Sequence, residues 1–182
     1  YIRDMNQGSG TWVQARAAGI DEQTISRQRE VRNDYYQEYL RTESIEIEGV
    51  VETLAELSNY VRMAIVTTAK RVDFEIIHEK RQVRQFMDFV LFREDYKLAK
   101  PHPEPYLTGL KRLGATEEET LVVEDSSRGV NSAVAVGIDW LAGGRHTWAL
   151  AAGPMEAVKG SIEDALRILA DKELKGQDKT RE

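Results

Sequence analysis

From about residue 49 onward, short apolar runs alternate with longer stretches whose apolar residues recur at helical spacing. The runs Met63–Thr67, Phe89–Phe92, Leu121–Glu124 and Ile138–Leu141 are short, apolar and bounded by polar residues or glycine, the pattern of buried strands. Between them, Val50, Leu54 and Leu57 fall at i, i+4, i+7, and Val72, Ile76 and Val83 mark a second helix over roughly 71–85. Tyr106, Leu110 and Leu113 face the core from a helix ended by Gly114. A helix over Val130–Val136 follows two serines that offer an N-cap, and Gly137 closes it. A last helix starts at Ser161 with Ile162, Leu166 and Leu169 as its stripe. Such alternation of strand and helix predicts an α/β fold with a parallel sheet and right-handed crossovers.

Residues 1–42 have no strand signal and read as helical. Thr11 and Gln14 have the spacing of a capping box, Gly19 can stop that helix, and Asp21 caps a longer one. Ile25, Tyr35, Tyr36, Tyr39 and Leu40 give the longer helix an irregular apolar face. Asn6-Gln7-Gly8-Ser9-Gly10 reads as a turn, with a substrate-facing loop that includes Arg3 as the functional alternative. Residues 43–48 read as a hinge strand, and Lys172–Glu182 as a charged, frayed tail.

Composition narrows the function. With 41% hydrophobic and 31% charged residues the chain is ordinary for a globular protein. A net charge of −6 argues against general affinity for nucleic acid or anionic membrane. No apolar run is long enough to span a bilayer, and with no cysteine neither disulfides nor thiolate metal sites arise, which fits a cytoplasmic protein. The chain opens on Tyr1 rather than Met, which reads as part of a longer polypeptide.

The residues able to do chemistry gather at predicted strand ends. Glu124-Asp125 follows Leu121–Val123, so two carboxylates stand in the crevice where open α/β sheets take ligands. Such a pair suits a hard cation such as Mg²⁺; alone, a solvated acidic turn is the commoner meaning. Thr67 and Thr68 end another strand and offer hydroxyl and backbone donors to phosphate oxygens. Lys100 precedes Pro101, so its backbone is extended and a helix must start after it. Its ammonium is expected in a solvated cleft near phosphate, with Arg71 as the next candidate cation. His78 reads as exposed, Trp140 as strand core, and His102 and His146 lie on loops near the same end. Three scattered histidines do not make a transition-metal site.

Thr67, Lys100 in Lys-Pro-His-Pro-Glu-Pro-Tyr and Glu124-Asp125-Ser126-Ser127-Arg128-Gly129-Val130 resemble, in this order, the second, third and fourth motifs of the haloacid-dehalogenase-like hydrolases. The helical-cap phosphoglycolate phosphatases and β-phosphoglucomutases are the similar subgroup, and the resemblance runs from about Glu48 to Gly144. It implies a Rossmann-like three-layer parallel sheet with a partial α-helical cap: residues 1–45 as cap, 46–171 as a core lacking its first strand, and 172–182 as tail. It also implies a Mg²⁺-dependent phosphomonoester hydrolase acting through an aspartyl-phosphate on a small phosphorylated metabolite. Thr67, Thr68 and Lys100 would hold the phosphate, with Thr67 and Lys100 catalytic; Asp125 would bind the metal, and Glu124 would bind it directly or through water. The family's first motif, Asp-x-Asp ending an apolar strand, does not occur in this sequence. A strand from outside the 182 residues is therefore expected between Met63–Thr67 and Leu121–Glu124. A sugar-phosphate mutase and a truncated, non-catalytic phosphate-binding protein remain as alternatives, with the substrate and oligomeric state open.

Overall fold

The computed structural model describes residues 12–43, 49–142 and 149–152, with the backbone alone for 141, 142 and 149–152. Arg3, the loop at residues 6–10, Thr11, His146 and the helix expected from Ser161 lie outside the described residues.

All four expected strand runs form within a residue or so of their expected limits, the first three being β1 (Arg62–Val66), β2 (Phe89–Leu91) and β3 (Thr120–Glu124). The fourth, β4, is Asp139–Ala142. Every residue of β2 and β3, and all of β1 after Arg62, is buried. Continuous burial means that both faces of the sheet are covered, which is why these strands read as unbroken apolar runs.

Side chains alternate between two layers. Ala64, Val66, Phe89, Leu91 and Val122 pack against Tyr106, Leu110, Leu113 and Ala133, which belong to α5 (Glu104–Leu113) and α6 (Ser127–Val136). On the opposite face, Met63, Leu121 and Val123 meet Leu57 of α3 (Val50–Leu57), and Ile65 and Val90 meet Phe74 of α4 (Arg71–His78). The core is therefore the expected Rossmann-like three-layer sandwich. Its helix ends follow the sequence signals: Ser126 Oγ accepts from Gly129 N, and Gly114 and Gly137 close α5 and α6 with left-handed backbone.

The sheet departs from expectation in its middle. Strand order is β2-β1-β5-β3-β4, where β5 is Ala149–Ala152. The β1–β2 and β3–β4 pairs are parallel, but β5 runs antiparallel to both neighbours, with Leu150 in register with Ala64 on one side and Val122 on the other. The sheet is thus mixed, and the place between β1 and β3 is filled by this chain's own strand rather than by one from outside it. Direction follows from chain length. Only residues 143–148 link β4 to β5, and a parallel return needs a crossover of about a dozen residues or more.

The N-terminal part forms α1 (Val13–Ala17) and α2 (Glu22–Thr42). Asp21 caps α2, its carboxylate accepting from Thr24 N at 2.8 Å, whereas α1 begins at Trp12 without a side-chain cap. Ile25 and Leu40 of α2 are buried, but Tyr35, Tyr36 and Tyr39 are exposed, so its apolar face is narrower than the sequence suggested. Gln37 donates to Asp73 at 3.0 Å and ties α2 to α4.

Three further expectations change. The helix over 71–85 is α4 followed by a 3₁₀ turn at Gln82–Phe86, and Phe74 rather than Val72 points inward. Trp140 is 43% exposed, because β4 is an edge strand of the described sheet. His78 is half-buried against Phe74, with ring centroids 4.1 Å apart.

Candidate active site

At the end of β1 the chain turns sharply. Thr67 N extends the ladder to Leu91 O (2.9 Å), Thr67 Oγ1 accepts from Ala69 N (3.1 Å), and Thr67 O accepts from the Tyr96 hydroxyl (2.7 Å). Burial pushes Tyr96 up to about 12, so it stays a neutral donor. These bonds fix Thr67 and Thr68 at the mouth of the crevice before α4 begins at Arg71.

The Lys100 loop is pinned on both sides. Lys97 N and Leu98 N donate to the Glu104 carboxylate at 2.8 and 2.9 Å, and Ser132 Oγ of α6 donates to His102 O at 2.7 Å. Lys100 itself lies before a cis bond to Pro101. Its side chain reaches inward instead of into a solvated cleft, and only 4% of the residue is exposed. Nζ donates to Glu124 Oε2 (2.6 Å), the Tyr106 hydroxyl (2.8 Å) and Val66 O (3.1 Å). An ammonium has three N–H bonds, so all three are engaged.

Glu124 is the partner built for it. Oε2 accepts from Lys100 and from the Tyr106 hydroxyl (2.8 Å), and Oε1 from Ser126 Oγ (2.9 Å) and Ser126 N (3.3 Å). Burial raises the Glu124 carboxyl, but the Lys100 charge and the hydrogen bonds from Lys100, Tyr106 and Ser126 outweigh it and hold it below the usual range. Burial pulls Lys100 down, against the opposing pull of Glu124, and pushes the Tyr106 phenol far up. The net state is a buried ion pair with a neutral tyrosine donor. Gly129 makes room for it, since a Cβ there would overlap the Glu124 carboxyl.

Around these groups lies a cavity of about 290 Å³. Val66, Thr67, Thr68, Lys100, Glu124, Asp125, Ser126 and Arg128 line it. The structure therefore brings Thr67, Thr68, Lys100, Glu124 and Asp125 to one cavity, as their positions at strand ends suggested. Asp125 is exposed at this cavity, while Glu124 is buried. Arg71 lies elsewhere: its guanidinium stacks 4.0 Å from the Phe92 ring centroid and sits 3.6 Å from Asp95. The second cation at the cavity is Arg128, whose Nη2 donates to Thr68 Oγ1 at 2.7 Å. Sequence reasoning passed over Arg128 as a site residue, although it lies in the first turn of the helix that follows the acid pair. Tyr106 was placed correctly in the core, but its hydroxyl was overlooked; a buried phenol needs a partner, and that was the available signal.

A small cavity at the carboxyl ends of two strands thus gathers hydroxyls, two cations and two carboxylates, at the place where open α/β sheets take ligands. Sequence comparison supplies the family. Residues 6–142 match the profile of the family described as haloacid dehalogenase-like hydrolase, and this chain belongs to that family. It is 31% identical over 156 residues to pyrophosphatase PpaX of Bacillus cereus, an alignment covering 82% of this chain and 69% of the relative. A haloacid dehalogenase superfamily hydrolase of subfamily IA from Geobacter sulfurreducens superposes with TM-score 0.54 at 26% identity, over 62% of this chain and 53% of that one. CbbY from Rhodobacter sphaeroides, solved with phosphate, shares the fold at TM-score 0.58 and 20% identity, over 68% of this chain and 59% of its own. The chain thus matches somewhat more than half the length of these solved relatives.

Proposed function

We propose that this chain carries the phosphate pocket of a Mg²⁺-dependent phosphomonoester hydrolase that acts on a small phosphorylated metabolite through an aspartyl-phosphate. The observation that carries this reading is the convergence of Thr67, Thr68, Lys100 and Asp125 on one cavity. The likeness to a pyrophosphatase favours water over a sugar as the phosphoryl acceptor, and hence a phosphatase over a mutase.

The metal fits the donors present. Asp125 and Glu124 are hard oxygen ligands, and Mg²⁺ commonly takes one or two carboxylates and completes its shell with water and substrate phosphate. Among the described residues there is no larger cluster of acids or histidines to compete for it. Asp125, the exposed member, would bind directly, and Glu124 directly or through water. When bound, the metal would neutralise charge on the phosphoryl oxygens.

The chain's own groups do the rest. Thr67 Oγ and the Thr68 backbone N–H donate to phosphate oxygens. Lys100 supplies positive charge from the cavity floor, and its longest bond, 3.1 Å to Val66 O, is the one to exchange for a phosphate oxygen. The low-dielectric surroundings of the buried ammonium strengthen that attraction. The covalent route also needs an attacking carboxylate, and these 182 residues contain no Asp-x-Asp to provide it.

The test pairs two measurements. Inorganic phosphate titrated calorimetrically into the protein should bind, and bind more tightly with millimolar Mg²⁺. The natural polypeptide should release phosphate from small phosphomonoesters or pyrophosphate and stop when the metal is chelated. Absence of phosphate binding with and without Mg²⁺ overturns the reading.

A further inference from the structure

The turn that follows β1 is clipped to the segment that follows β2. Thr67 N donates to Leu91 O at 2.9 Å, Arg93 N donates to Ala69 O at 3.0 Å, and the Tyr96 hydroxyl donates to Thr67 O at 2.7 Å. Tyr96 is held in its turn: Arg93 Nη1 donates to Tyr96 O at 2.9 Å, and the guanidinium lies 5.5 Å from the ring centroid. Only 5% of Tyr96 is exposed, and it stands behind the cavity rather than among the residues that line it.

The geometry of one peptide gives the clip a second meaning. The bond between Thr67 and Thr68 is trans, so its carbonyl and its N–H point to opposite sides. Tyr96 holds the carbonyl, and the N–H therefore faces the other way, on a half-buried residue that lines the cavity. The neighbouring N–H groups are engaged, Thr67 with Leu91 O and Ala69 with Thr67 Oγ1. The Thr68 hydroxyl accepts from Arg128 at 2.7 Å. Among the described residues the Thr68 N–H has no partner. A backbone donor left over at a cavity wall is available to a ligand oxygen.

We propose that Tyr96 is a positioning residue, which by holding Thr67 O aims the Thr68 N–H at the phosphate. This rests on the phosphatase reading of the cavity and adds to it a side chain that never touches the ligand. A dipole already aimed stabilises a bound anion more than one that must turn to meet it, because no reorganisation is needed. Without the hydroxyl, the peptide plane is free to rotate about its flanking bonds, and the N–H loses its aim while Thr67 Oγ and Lys100 stay in place. The phenol suits the task, since burial pushes it up to about 12 and it keeps its donor proton throughout the neutral range.

Tyr96→Phe removes the hydroxyl and keeps the ring. Inorganic phosphate, titrated calorimetrically in millimolar Mg²⁺, should bind this variant about three- to tenfold more weakly than the wild-type protein. Ile138→Val, a small truncation in the core away from the cavity, controls for lost stability and should leave phosphate affinity unchanged. Amide NMR gives a readout at the donor itself. In the wild-type protein, phosphate should shift the Thr68 N–H resonance and slow its exchange with deuterium at least about tenfold, and both effects should shrink in Tyr96→Phe. Thermal denaturation reports whether Tyr96→Phe folds; if it does not, protection of Thr68 in the wild-type protein decides alone. Phosphate affinity of Tyr96→Phe within about twofold of wild type, an equal loss in Ile138→Val, or a wild-type Thr68 N–H that phosphate leaves unprotected overturns the assignment to Tyr96 and leaves the phosphatase reading standing. Absence of phosphate binding by the wild-type protein overturns both.

Discussion

Lys100→Met is the perturbation that tests the site's architecture most directly. It removes the ammonium and keeps a side chain of similar length, so the effect comes from charge rather than a cavity. Lys100 and Glu124 are 4% exposed each, and their 2.6 Å contact has almost no solvent screening. In the variant Glu124 Oε2 retains only the Tyr106 hydroxyl, and a carboxylate is left buried without its counter-charge. Removing one partner of a buried pair costs about 3–5 kcal/mol. For a domain of this size that corresponds to a fall in Tm of roughly 10 °C. Urea denaturation near neutral pH measures it. The pH dependence separates charge from packing. In the wild-type protein Glu124 is held below its ordinary value, so its contribution is full above the unfolded value and is lost as pH falls through the folded one. Without Lys100, burial dominates and the carboxyl lies above its unfolded value. Protonation then relieves the penalty, and the gap between variant and wild type narrows as the solution is acidified. Lys100→Met/Glu124→Gln should recover much of the loss at neutral pH. A single variant within about 1 kcal/mol of wild type, or a deficit that acidification leaves unchanged, refutes the buried ion pair.

Gly129→Ala should cost about 1–3 kcal/mol by driving its methyl into the Glu124 carboxyl, and wild-type stability in chemical denaturation contradicts this. Asp125→Asn keeps shape and loses charge at an exposed position, so Mg²⁺ affinity should fall by about tenfold or more while the melting curve stays put; unchanged Mg²⁺ titration sinks the ligand assignment. His78 should titrate at about 4 by NMR, because burial and then the Arg81 charge disfavour its cation. Since that value is depressed, His78 costs nothing above its unfolded value near 6.5 and opposes folding increasingly as pH drops from there towards 4. A midpoint near 6.5 shows the ring to be solvated.

Much of the core was legible because strands buried on both faces are written as unbroken apolar runs, and Leu121–Val123 needs no other context. The strand-end motifs were legible for the same reason, since an abrupt change from Val123 to Glu124 or from Val66 to Thr67 marks the crevice. Ala149–Ala152 was not legible. Ala-Leu-Ala-Ala has helix-forming residues and no alternation, and only the two open edges of β1 and β3 make it a strand. The burial of Lys100 was equally hidden. A lysine among prolines looks solvated, and the groups that draw it inward stand 6 and 24 residues away in sequence. Phe74 takes the core position of α4 and clusters with Ile65, Val90 and Phe92, while Val72 is exposed, because the larger ring fills the space beside the sheet.

The order β2-β1-β5-β3-β4 also makes the site a junction. Among the described strands, the parallel pairs β1–β2 and β3–β4 do not pair with each other, and β5 is what joins them. Lys100 straddles this seam, bonded to Val66 at the end of one pair and to Glu124 at the end of the other. The anion-binding floor therefore does not exist in either half alone. A ligand that recognises this floor therefore touches both pairs at once and acts as a clasp on the whole core.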